Sequence, residues 1–172
     1  VNALSQINLI LGSLTADSSY LLPWLLHLVG DVHNPMHCTS RWKKDQVDPK
    51  TGKPWSDLGG NGVYVVGAYN LHAYWDDALG ITDTPDYLNG LIRFLSNKGH
   101  EGEDVLDPRE WVNEGARLAE SVCYKLGDKG TGSKENPITL PETYAVESKA
   151  LARERAALGA RRLAAVLNQR LQ

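Results

Sequence analysis

Cysteine, methionine and phenylalanine are scarce in this 172-residue chain, at two, one and one. Two cysteines, Cys38 and Cys123, cannot build the disulfide framework that stabilises small secreted modules. They leave three states open: paired with each other, reduced, or paired with a segment outside the chain. A basic excess is also lacking. The formal net charge is −3 and the sequence pI is about 5.9, which excludes an arm that binds nucleic acid by charge alone. If phosphates are handled here, another positive charge must meet them, and a metal ion is the simplest. No apolar run reaches the roughly 18 residues of a membrane span. The densest stretch, Leu21 to Val29, is broken by Pro23 and His27 and then meets Asp31. The chain starts at Val1 without a visible signal peptide and reads as a processed or partial product. Residues 1–172 are long enough for a single domain with a core. Internal repeats and low-complexity segments are absent.

What is present is helical periodicity. Leu4, Ile7, Leu11 and Leu14 predict a helix over 4–13. A second is predicted over roughly 18–33, capped near Asp17-Ser18-Ser19, with Leu22, Leu25, Leu26 and Val29 as its buried face. Asn34-Pro35 ends it, because the residue before proline is pushed out of the helical region. Residues 39–56 are polar and predict a long surface loop. Asp57-Leu58-Gly59-Gly60-Asn61 is a turn signal, and Val63-Tyr64-Val65-Val66 is the stretch suited to a strand or hairpin. Asn70 is placed to cap a third helix that carries His72, Trp75 and Asp76. Further helices are expected over 84–98, over 108–126 behind Asp107-Pro108, and over 141–170. In the last, Leu151, Leu158, Leu163, Val166 and Leu167 should face inward while Arg153, Arg155, Arg161 and Arg162 stay wet. The expected fold class is mainly α with at most one short hairpin.

His27 and Asp31 are four residues apart and project from one helical face. His37 follows beyond the Asn34-Pro35 break, where a bend can return it to the same space. His72 and Asp76 repeat the four-residue spacing on another helix. One His-x3-Asp pair is common in helices that bind nothing. Two copies plus His37 within residues 27–76 point to a metal site, since zinc takes imidazole and carboxylate ligands, usually four per ion. His33 is two residues from Asp31 and points off that face, so it reads as a hydrogen-bonded structural histidine or as support for a ligand. His100, beside Glu101, reads as solvated.

Three segments in order, HLVGDVHNPMH (27–37), DLGGN (57–61) and NLHAYWD (70–76), are similar to the zinc-dependent S1/P1 nuclease family. Trp111-Val112-Asn113-Glu114 and the closing stretch 159–168 resemble that family's last two helices, so the likeness runs from about 20 to 170. The resemblance implies a multi-helix phospholipase C/P1 nuclease-like fold with three zinc ions at the base of a cleft. Carried over, His27 and Asp31 bind the first zinc, and His37, His72 and Asp76 bind the second. Asp31 bridges to the third and is the expected catalytic residue. The implied activity is hydrolysis of single-stranded DNA and RNA to 5′-nucleotides by metal-activated water, with 3′-nucleotidase activity, in a secreted or periplasmic protein. Asp77 is expected to line the substrate pocket. Trp42 and Trp55 either stack bases or anchor their loop.

The family pattern also has an N-terminal tryptophan whose amine and carbonyl bind the third zinc, then a histidine, and then an aspartate and a histidine for the first. No such arrangement precedes His27. The chain therefore looks like the C-terminal portion of a larger zinc nuclease domain, with the N-terminal portion a separate chain, a cleaved piece or absent. Alone, it is expected to bind at most one zinc tightly, with weak or no activity. In some family members a cysteine near the position of Cys123 is disulfide-bonded to the earlier half; a buried free thiol is the alternative. Two other readings compete. A zinc-dependent phospholipase C shares the fold, but typically ends its ligand set in Glu where Asp76 stands, and lacks the Gly59-Gly60-Asn61 turn. A non-enzymatic remnant would hold one structural zinc or serve as an interaction domain.

Overall fold

The computed structural model describes residues 2–171 apart from 16, 50, 83, 97, 98, 100 and 128–131. His100 therefore lies outside the described residues. The mainly α expectation holds. In chain order the elements are α1 (Ala3–Ser13), α2 (Leu21–His33), a 3-10 turn (Pro35–Cys38), β1 (Trp42–Val47), β2 (Pro54–Ser56), α3 (Leu71–Asp76), α4 (Pro85–Ser96), α5 (Pro108–Leu118), a π-helical turn (Ala119–Cys123) and α6 (Tyr144–Arg170).

Local chemistry sets the boundaries. Asn2 and Ser5 exchange side-chain-to-backbone bonds in a capping box that starts α1. Asn34 leaves the helical region (φ −82°, ψ 118°), closing α2, and its side chain accepts from the Met36 amide to open the 3-10 turn. Asn70 caps α3 by accepting from the Ala73 amide at 2.8 Å. Asp107 caps α5, with Pro108 in the first turn.

Two clusters of buried side chains make the core. The first joins α1 (Ile7, Ile10, Leu11), α2 (Leu25, Val29, Val32), Trp111 of α5, and Leu163 and Val166 of α6. The second joins Met36, Val63, Val65, Leu71, Trp75, Cys123, Ile138 and Tyr144. Cys38 of the 3-10 turn packs against α5 at Gly115, where a β-carbon would stand 2.5 Å from the Cys38 sulfur. Any larger residue at position 115 would force the turn away.

Four expectations are corrected. The hairpin forms inside the stretch expected to be loop: β1 and β2 pair antiparallel, Trp42 opposite Ser56 and Lys43 opposite Trp55. Residues 63–66 form no hairpin. Among the described residues Val65 makes an isolated parallel bridge to Ile138, with the Val66 amide donating to the Ile138 carbonyl and the Ile138 amide to the Tyr64 carbonyl. Leu26 was expected in the core but is 49 % exposed, because it lines a cleft beside α6. Arg155 and Arg162 are buried rather than wet, since Glu114 meets both. Cys38 and Cys123 are not bonded to each other. Burial pushes their pKa values up, to about 11 and about 12.

Candidate metal centre

Each side chain of the second His-x3-Asp pair, and His37, sits next to a buried anchor. Met36 precedes His37, Leu71 precedes His72, and Trp75 precedes Asp76; all three anchors are at most 3 % exposed and belong to the second core cluster. Core packing therefore fixes the backbone from which each ligand projects. The result is a triad: His37, His72 and Asp76 offer ligand atoms that all lie within 4.8 Å of one another. The His37 and His72 rings stack with centroids 4.7 Å apart. Asp76 stands between them, 3.1 Å from His37 Nε2 through one oxygen and 3.6 Å from His72 Nε2 through the other.

The surroundings hold this arrangement in place. Asn34 donates its side-chain amide to Asp76 Oδ1 at 2.9 Å. His72 Nδ1 meets the Gly59 carbonyl at 2.8 Å, so Nδ1 carries the hydrogen and donates it. The Nε2 lone pair then faces the Asp76 carboxylate. Two electron-pair donors this close repel unless a proton or a metal ion lies between them. Ligand atoms on a tetrahedral zinc are roughly 3.3 Å apart, from bonds of about 2.0–2.1 Å, and the 3.1 and 3.6 Å separations bracket that figure. The donor set therefore fits a divalent cation of borderline softness.

The Gly59 carbonyl is aimed by its own turn. Gly59 has φ +66°, and a β-carbon there would meet the Met36 carbonyl oxygen at 2.9 Å. The turn is tied to Asp57, whose side chain is fully buried. Its carboxylate accepts from the Arg41 amide (2.8 Å), Arg41 Nε (3.0 Å), the Tyr124 hydroxyl (2.8 Å) and the Gly59 amide (3.2 Å). Burial alone would raise its pKa, but the bonds from Arg41 and Tyr124 outweigh it and hold the carboxyl below the usual range. Its stabilising contribution is therefore present above an unfolded pKa of about 3.9 and disappears as pH falls through the lower folded value. Asp57→Asn is expected to cost about 2 kcal/mol at pH 7. Urea midpoints should show that gap narrowing at pH 3, and a gap that stays constant would remove the charge from the explanation.

Asp31 links the first pair to the triad. One oxygen is 3.4 Å from His27 Nε2 and the other 3.7 Å from His37 Nδ1. His27, Asp31, His37, Asp76 and His72 thus form one continuous line of side chains. His27 is 64 % exposed, so this pair lies at the rim. The line borders a cleft of about 610 Å³ between α2 and α6, walled by Gly30, Trp75, Ala152, Arg155, Ala156 and Gly159.

His33 and Asp77 stand apart from this line. His33 is buried, with Nδ1 donating to the Val29 carbonyl (2.8 Å) and Nε2 facing Arg162 Nη1 (3.3 Å). Burial pushes its pKa down to about 4, so it is a neutral structural histidine. Asp77 lines a separate depression with Tyr69, Tyr74 and Lys149. Sequence reasoning missed Asp57 and Asn34 as supports. The signal for Asp57 was its place at the head of the Gly-Gly turn; for Asn34 none existed beyond its cap role.

A family model described as S1/P1 Nuclease matches residues 3–172. Endonuclease 5 of Arabidopsis thaliana is 29 % identical over 168 residues, covering 86 % of this chain and 50 % of that protein. The chain thus spans about half the length of that curated relative.

Proposed function

This chain belongs to the S1/P1 nuclease family, and on that premise we propose that it carries part of the catalytic centre of a zinc-dependent nuclease. Its substrates are single-stranded DNA and RNA, cleaved to 5′-nucleotides, with 3′-nucleotidase activity in addition. The observation that carries the reading is the convergence of His37, His72 and Asp76 at the edge of the cleft. These three hold one zinc. When bound, zinc supplies a Lewis acid for a phosphoryl oxygen and lowers the pKa of water enough to make a nucleophile near neutral pH.

The chain's own residues orient that chemistry. The Gly59 carbonyl keeps His72 in one tautomer, and Asn34 pins one Asp76 oxygen. Asp31, placed between His27 and His37, is the group shared by the rim pair and the triad. Arg155 stands in the wall of the cleft, paired with Glu114. His27 and Asp31 make an incomplete ligand set, and the family pattern supplies its remaining ligands N-terminal to them. The resemblance also assigns the protein to a secreted or periplasmic location.

The test is metal analysis followed by an assay. Residues 1–172 alone should hold one zinc per chain; three would sink the claim that further ligands come from elsewhere. The full-length protein should release nucleotides from single-stranded DNA, lose that activity with a chelator, and leave phosphatidylcholine intact. Release from the lipid instead would favour the phospholipase reading.

A further inference from the structure

The β1–β2 hairpin takes no part in the metal centre, yet it is rooted beside it. Every residue of β1 is exposed. Residues 41–53 carry five cations (Arg41, Lys43, Lys44, Lys50 and Lys53) against Asp45 and Asp48, in a chain of net charge −3. Trp42 is 62 % exposed, so it does not anchor the hairpin to the core. Lys43 Nζ lies 4.6 Å from the Trp55 ring centroid. Successive strand residues point to opposite faces, so Lys43 and its cross-strand partner Trp55 share one face and Trp42 takes the other, before the register shifts between Lys43 and Val47.

The root is stiff. Ser40 and Ser56 hydroxyls meet at 2.6 Å, and Arg41 is fastened to Asp57 and stacked 3.9 Å from the Tyr124 ring centroid. That same Asp57 organises the turn that holds His72. A strand of six residues reaches roughly 20 Å at about 3.3 Å each. Cations beside one exposed ring, Trp42, and one half-buried ring, Trp55, suit a ligand that alternates phosphates with flat bases. The local positive charge is complementary to such a strand, and the root adjoins the centre where its backbone would be cut.

We propose that the hairpin is a second grip on single-stranded nucleic acid, with Lys43 and Lys44 on backbone phosphates and Trp42 stacking a base. It raises affinity for strands over single nucleotides. The inference rests on the nuclease reading but is tested by binding. Full-length wild-type protein, Trp42→Ala and the double variant Lys43→Glu/Lys44→Glu are titrated into a fluorescent, cleavage-resistant phosphorothioate 15-mer of thymidylate, and anisotropy is followed. Each variant should bind about tenfold more weakly, while hydrolysis of a dinucleotide stays at the wild-type rate. Unchanged binding by both variants overturns the proposal, as does a wild-type protein that ignores the 15-mer. Binding to phosphatidylserine vesicles but not to the 15-mer overturns it in favour of a membrane surface. Hairpin-dependent binding without any strand cleavage would leave the grip standing and remove the nuclease reading instead.

Discussion

Asp76→Ala is expected to weaken zinc binding by well over the 10- to 100-fold typical of losing a ligand's supporting hydrogen bond. Asp76 supplies the anionic ligand of the triad and lies between both imidazoles, 3.1 and 3.6 Å away. Without it, two imidazole nitrogens on stacked rings remain. Asn34→Ala should produce the smaller loss, about 10- to 100-fold, because it frees one Asp76 oxygen without removing it. Competition against a chromophoric chelator measures both. An Asp76→Ala affinity within threefold of wild type would strike the carboxylate from the ligand set.

Glu114→Ala is expected to destabilise the fold by about 3–5 kcal/mol, the cost of leaving buried charge without its partner. Glu114 accepts from Arg162 Nη1 (2.7 Å), Arg162 Nη2 (2.8 Å) and Arg155 Nη1 (3.0 Å). Arg162 is fully buried and, among the described residues, keeps the Gly102 carbonyl, the His33 ring and the Trp111 face besides. Arg155 already has a buried Nη2 with no partner among the described residues. The control is Arg161→Ala. Its pairing with Glu103 at 3.5 Å is more exposed, and exposed pairs contribute roughly 0–1 kcal/mol. Chemical denaturation of the two variants should separate them by several-fold in cost, and equal costs would place the Glu114 cluster in effective contact with water. Burial pushes the Glu114 pKa up, but its arginine partners outweigh that and lower it. Like Asp57, it therefore loses its contribution as pH falls through the carboxylate range.

The ligand side chains were legible because helix geometry makes a four-residue spacing a statement about space. His27 with Asp31 and His72 with Asp76 needed no tertiary information. That His37 joins His72 rather than His27 was not in the spacing. It follows from the Asn34-Pro35 break and from Gly115, which lets Cys38 dock on α5. The arginines of α6 were misplaced because periodicity separates polar from apolar faces and cannot see a carboxylate 41 or 48 residues away. The hairpin escaped notice for the opposite reason. With all of β1 exposed, no apolar alternation marks it, whereas Val63 and Val65 look strand-like because they are buried. Leu26 fits the helical stripe of α2, but that stripe ends at a cleft.

The Asp57 carboxylate stands between the metal centre and the hairpin. On its inner side it fixes the turn whose Gly59 carbonyl holds His72. On its outer side lies a ribbon closed at its far end by a turn in which the Asp48 carbonyl accepts from the Thr51 and Gly52 amides. Exposed loop tips of this kind tolerate insertion. Residues added there would lengthen the arm without disturbing the clamp at its base. The hairpin is thus a place where reach can be altered, by evolution or by design, while the chemistry behind it stays fixed.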